Sequence, residues 1–143
     1  MFRGVPKSVL IASLLGLIPM LIGLASTFNI GLPENLKEDF IRIVIIYSGF
    51  ILSFMSGCVF YVSSLERKRV KLLWFSIVPV FIALLSIIIP FMQTFLLALG
   101  FLLILEIERK LHKLRSLPQW WLNLRFPMTF VVVILLILLG FRI

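Results

Sequence analysis

Charge is scarce in this 143-residue chain, cysteine and histidine are nearly absent, and acidic residues number only six. Charged residues make up 14% of the sequence, well below the roughly 25% of soluble domains. A lone cysteine, Cys58, rules out a disulfide framework and reads as a small buried hydrophobe. A lone histidine, His112, cannot assemble a metal or haem site, because such sites need clustered ligands. There is no phosphate-binding glycine loop, no H-E-x-x-H and no G-x-S-x-G. Repeats, low-complexity tracts and Gly/Ser linkers are missing as well, and no hydrophilic stretch is long enough to fold separately. One domain over residues 1–143 is expected, with no cofactor and no metal.

What fills the chain is apolar sequence. The hydrophobic fraction is 62% and the mean hydropathy +1.18. Five runs, Val9–Phe28, Ile41–Ser63, Leu72–Ile89, Phe91–Ile107 and Phe126–Phe141, are each about long enough to cross a bilayer. A helix rises about 1.5 Å per residue, so roughly 20 residues cover a hydrocarbon layer of about 30 Å. Backbone groups must be paired in lipid, and runs of this length pair them only as helices. The expected fold is all-α: a polytopic membrane protein with five transmembrane helices. Five spans do not divide into equal inverted halves, which counts against common transporter plans.

Charge sets the expected orientation. Arg3, Lys7, Arg67, Lys68, Arg69, Lys71, Arg109, Lys110, Lys113, Arg115 and Arg125 fall on one side if every run spans, against Lys37, Arg42 and Arg142 on the other. The positive-inside rule puts the rich side in the cytoplasm, N-terminus in and C-terminus out. The net charge of +8 therefore reads as topology and anionic-lipid contact rather than nucleic-acid binding. Gly23-Leu24-Ala25 could pass for a signal-peptidase site, but the preceding run exceeds a signal-peptide core. Its Gly16, Pro19 and Gly23 suit a retained, packed helix. With no long Arg/Ser-rich stretch before Val9, a bacterial inner membrane is favoured over the mitochondrial inner membrane.

Within the spans, Gly49, Ser53 and Gly57 recur every four residues, beside Ser56, and form a ridge that lets a helix approach closely. Packing inside the monomer is the first expectation for it, a homo-oligomer contact the second. Pro79 frees the carbonyl of Phe75, and the Ser76 hydroxyl lies where it can help to re-satisfy the turn. Pro90 predicts a tight hairpin between the third and fourth spans. No span carries a charge at its midpoint, which weakens any pumping role.

Beyond the fourth span, Ile104, Ile107, Leu111 and Leu114 share one helical face. Glu106, Glu108, Arg109, Lys110, His112, Lys113 and Arg115 occupy the remaining positions, with Glu106/Lys110 and Glu108/His112 in favourable order. Pro118 is expected to stop this helix. Trp120 and Trp121 then suit the headgroup level, and Glu108–Phe126 reads as a cytoplasmic amphipathic elbow between helices four and five. Glu106, Trp120, Trp121 and Arg125 form a candidate interfacial headgroup site, with Arg125 as the phosphate partner. Glu106 beside Arg109 or Arg125 reads as an ion pair rather than a general base.

The run Leu117-Pro118-Gln119-Trp120-Trp121-Leu122-Asn123-Leu124-Arg125, followed by Thr129, resembles the "LPxWYxxLR…LT" pattern of the transmembrane protein 69-like family, small membrane proteins of bacteria and mitochondria. Gly16-Leu17-Ile18-Pro19 is similar to its "GLIP", Tyr47 with Ile51–Gly57 to its "Y…ILSFLGG", and Ser76-Ile77-Val78-Pro79 to its "SxxP". The resemblance covers most of the chain, although Val59-Phe60-Tyr61 replaces the polar residue and Trp-Gly common in that family. By the same resemblance, Glu106 corresponds to an acidic residue at the end of the fourth helix. The resemblance implies a domain of unknown function and no activity.

The function that follows is a non-catalytic accessory, assembly or scaffold subunit, with a membrane-protein partner or a second copy of the chain. The alternative is a small transporter or lipid-handling protein with Ser53, Ser56, Gln93 and Thr94 along a polar path. A membrane enzyme requires Glu106, Arg125 and Trp121 to converge on one cleft.

Overall fold

A computed structural model describes residues 4–28, 33–65 and 70–143. The expectations that rest on Arg3, Arg67, Lys68 and Arg69 lie outside the described residues. The elements run α1 (Lys7–Leu15), α2 (Ile18–Ser26), α3 (Glu34–Ser64), α4 (Val70–Ile88), a 3-10 turn (Pro90–Met92), α5 (Gln93–Lys113) and α6 (Trp121–Gly140). Among the described residues all regular structure is helical, and five helical stretches are long and apolar enough to cross a membrane.

The first of these stretches is two helices rather than one. Pro19 sits at the second position of α2, where its missing N–H leaves no partner to the turn before it, and the chain breaks at Gly16–Leu17. Tyr47 of α3 closes this break by donating its hydroxyl to the Gly16 carbonyl at 2.8 Å.

α3 packs on α4, α4 on α5 and α5 on α6, while α2 bridges α3 and α6. The core runs through Leu52, Leu97, Phe101, Ile104, Leu111 and Leu136. Close approach occurs at glycines other than those of the expected ridge. A Cβ on Gly23 would collide with Val44, one on Gly100 with Leu52, and one on Gly140 with Thr94. At Gly49 and Gly57 nothing lies within 4 Å of where a Cβ would stand, and Gly57 is exposed. The expected ridge thus has open space beside both its glycines, with Gly49 and Ser53 half-buried.

Two further hydroxyls differ from expectation. Ser76 Oγ donates to the Leu73 carbonyl rather than to Phe75, and Ser56 Oγ reaches across from α3 to the Ser76 carbonyl of α4. The hairpin at Pro90 forms as a single 3-10 turn between α4 and α5. At the far end Arg142 lies 4.7 Å from the Phe28 ring centroid, and Phe95 meets Phe141 edge-on.

α5 continues past the apolar run to Lys113 but stops well before Pro118. Arg115 takes a left-handed conformation at φ 55°, with Arg115 N–H bonded to the His112 carbonyl and Ser116 N–H to the Leu111 carbonyl. This is the paired 5→2 and 6→1 closure that usually recruits glycine. Leu114 consequently lies outside the helix and is exposed. The connection to α6 is thus a turn over residues 114–120. The longer amphipathic elbow is not formed, because Trp121–Arg125 already belong to α6.

Candidate functional site

The site begins from one stripe of α6. Trp121, Arg125 and Thr129 are four residues apart, so their side chains stack along one face of the helix. That face meets α5 at Glu108, whose side chain is 1% exposed. Arg125 Nε–H donates to both carboxylate oxygens, at 3.0 and 2.9 Å, and Trp121 Nε1–H donates to Oε1 at 3.1 Å. Burying a carboxylate alone costs several kcal/mol, and the guanidinium together with the indole N–H offsets that cost.

Glu108 is the residue that sequence reasoning misplaced, by assigning it to the charged outer face beside His112. The signal was present. At about 100° per residue, Glu108 lies about 40° from Ile104 and about 60° from Leu111. Adding Leu97 and Phe101 to the apolar face turns its centre toward Glu108, which lies about 20° from each of them, and all of these residues are buried. His112 is half-buried, and its Nδ1 has no partner.

The remaining expected site residues divide. Trp121 and Arg125 are brought together, and Trp120 leans on Trp121 with ring centroids 5.6 Å apart. Glu106 is separate: it lies on the opposite side of α5 and pairs with Arg109 at 3.2 Å, both side chains about half exposed. A surface pair of this kind contributes about 0–1 kcal/mol. The convergence that an enzyme was expected to build around Glu106 is built around Glu108 instead.

Beside this cluster lies a cavity of about 500 Å³ between the α1–α2 break and the flank of α3, α5 and α6. Its wall is mostly apolar, with Met20, Ile51, Phe54, Met55, Phe101, Met128 and Val132. Its polar contributors are Ser8, Ser13, Tyr47, Arg125 and Thr129. Tyr47 and Ser13 already donate to backbone carbonyls. Arg125 Nη2 and Thr129 Oγ1 are buried with no partner. Such atoms are usually hydrogen-bonded in native interiors, and both lie beneath the cavity surface rather than open to it.

None of Ser53, Ser56, Gln93 and Thr94 lines this cavity: Ser56 is bonded to α4, and Thr94 abuts Gly140 at the far end of α5. No group of His, Cys, Asp and Glu suited to a metal ion occurs among the described residues.

Comparison with curated proteins and with solved structures gave no match. A match to a family of proteins of unknown function, DUF3429, spans residues 5–141. With nearly its whole length covered, the chain belongs to the DUF3429 family.

Proposed function

We propose that this chain is a non-catalytic integral membrane protein that binds an amphiphilic lipid between α1–α2 and the α3–α5–α6 flank. One observation carries the reading: a mostly apolar cavity of about 500 Å³ whose lining residues include the polar Ser8, Arg125 and Thr129. A pocket that is mostly apolar and holds a few convergent polar groups is the form that ligand sites take. An ionisable pair enclosed by apolar helices is costly enough to suggest a use beyond anchoring. The excess of basic residues near helix ends supports an inner membrane with the N-terminus on the cytoplasmic side, or the matrix side of a mitochondrion. The narrower likeness to the transmembrane protein 69-like family, carried by its motif residues, belongs to the same reading.

The test is gentle extraction followed by mass spectrometry of retained lipid. A lipid held in stoichiometric amount, and lost when Ala12→Trp fills the cavity, agrees with the proposal. Protein that purifies folded and lipid-free, with Ala12→Trp behaving as wild type, refutes it.

The open space beside Gly49 and Gly57 favours a second reading, an accessory or scaffold subunit joined to a membrane protein or to its own copy through α3. Cross-linking from Ser53→Cys distinguishes the two. A defined adduct that disappears in Gly57→Leu supports assembly, and monomer alone argues against it.

A further inference from the structure

We infer that α1 is a strap over this cavity, pivoting at Gly16–Leu17 between its position off the bundle and one seated on α3 and α6. An amphiphile in the cavity holds the strap off, and its loss lets the strap close. The inference rests on the lipid-binding reading above and adds how the lipid is exchanged with the membrane.

α1 is held at its ends rather than along its length. At one end Tyr47 donates its hydroxyl to the Gly16 carbonyl at 2.8 Å. At the other, Gly4 lies beside Trp120 with a φ of +80°, a left-handed turn that glycine takes without strain. Between them α1 buries no residue and packs closely on no other helix, whereas α2 packs on α3 and α6. Ser8 and Ala12 line the cavity and are still exposed, so the opposite wall leaves them uncovered.

The joint itself is short of backbone bonds. Pro19 has no N–H to give the Leu15 carbonyl, and the Gly16 carbonyl is held by Tyr47. Leu17 N–H bonds to the Leu14 carbonyl in a tight turn. A rotation at Gly16–Leu17 therefore disturbs one turn bond and the Tyr47 contact, and leaves both helices intact.

The two surfaces suit a second packing. α1 presents Ser8, Ala12 and Gly16 to the cavity at intervals of four, while its larger Ile11, Leu14 and Leu15 are exposed. Small side chains let a helix approach a neighbour closely. The rest of the wall holds Met20, Met55 and Met128, three of the chain's five methionines. An unbranched thioether fills gaps of different shape, so this wall can meet either a hydrocarbon tail or α1. An empty apolar space forgoes dispersion contacts along its lining, so a wall free to move closes it. An occupant restores those contacts and shifts the population back.

The experiment uses the full-length protein carrying Cys58→Ser, stripped of lipid in a detergent with a rigid steroid tail. Nitroxides at Ile11→Cys and Phe130→Cys, both exposed positions, report the α1–α6 separation by double electron–electron resonance. Without lipid the pair should show two distances. Palmitoyl-oleoyl phosphatidylethanolamine should move the population toward the longer one, saturably and by at least about fivefold. At the same lipid, Tyr47→Phe should shift it about fivefold toward the shorter, the worth of one neutral hydrogen bond. A control pair at Leu21→Cys and Leu138→Cys, joining α2 to α6, should keep one distance throughout.

One distance in every sample, with lipid still retained by mass spectrometry, overturns the strap and leaves the lipid-binding reading standing. Two distances whose proportions ignore lipid overturn the link to occupancy, and overturn the lipid-binding reading as well if no lipid is retained. Movement of the control pair along with α1 places the motion in the whole bundle and overturns the pivot at Gly16–Leu17.

Discussion

α1 buries no residue between Lys7 and Leu15, whereas α5 buries ten between Gln93 and Lys113. Both lie in stretches apolar enough to cross a membrane. The contrast separates two properties that hydropathy merges, residence in lipid and packing in a bundle. Lipid tails are as apolar as leucine, so an apolar helix gains little by leaving them for another helix. Close packing comes from shape and from polar groups that lipid cannot satisfy. α5 has both, in Gly100 against Leu52 and Glu108 against Arg125 and Trp121. α1 has neither, and the cavity opens along it.

That contrast is broken most severely by removing the group that ties α5 to α6. Glu108→Ala leaves the Arg125 guanidinium buried and unpaired, and the loss should be about 3–5 kcal/mol, read as a lowered unfolding midpoint or loss of folded protein after extraction. Replacing both partners, Glu108→Leu with Arg125→Met, should recover most of that loss. If the double variant is as poor as the single one, the pair contributes more than mutual neutralisation.

Steric fit comes next in size. Gly100→Val drives a side chain into Leu52, and overpacking of this kind costs about 1–3 kcal/mol. Denaturation in mixed micelles reads the effect directly, and an unchanged midpoint would mean that α3 and α5 stand further apart.

A smaller effect tests α1 itself. Tyr47→Phe removes the hydroxyl held by the Gly16 carbonyl, worth about 0.5–1.5 kcal/mol. Hydrogen exchange should rise in α1 and at the Gly16–Leu17 break, with α5 unaffected. Uniform acceleration through both helices would show that α1 is coupled to the core.

The smallest effect belongs to the ridge. Gly57→Ala places a methyl in open space, and the monomer should be unchanged or slightly more stable, since alanine favours helix by up to about 1 kcal/mol. Destabilisation of the isolated monomer would return the ridge to the interior.

Residue by residue, legibility followed the kind of physics involved. The hairpin at Pro90 was readable because proline constrains its own turn. The break at Gly16–Leu17 was not, because a proline within a long apolar run suits a kinked helix as well as two helices. The end of α5 was hidden since arginine, not glycine, takes the left-handed position. Glu106 and Glu108 differ by two residues along one helix, and pattern alone exchanged their roles. Glu106 meets Arg109 at the surface, while Glu108 is enclosed with Trp121 and Arg125. Helical spacing states which residues share a face, but the neighbour determines which face is the inside.

The sequence alone determined the all-helical class, the five apolar stretches and the concentration of basic charge near helix ends. These follow from local rules: length against bilayer thickness, backbone satisfaction in lipid, and the charges that flank each run. Only the tertiary structure decided that Glu108 lies in the core, that Arg125 and Thr129 share one cavity, and that Gly49 and Gly57 have open space beside them. Each of those depends on how one helix is rotated against another. In a chain this apolar nearly every face is hydrophobic, so that rotation is set by a few small and polar residues rather than by the pattern as a whole.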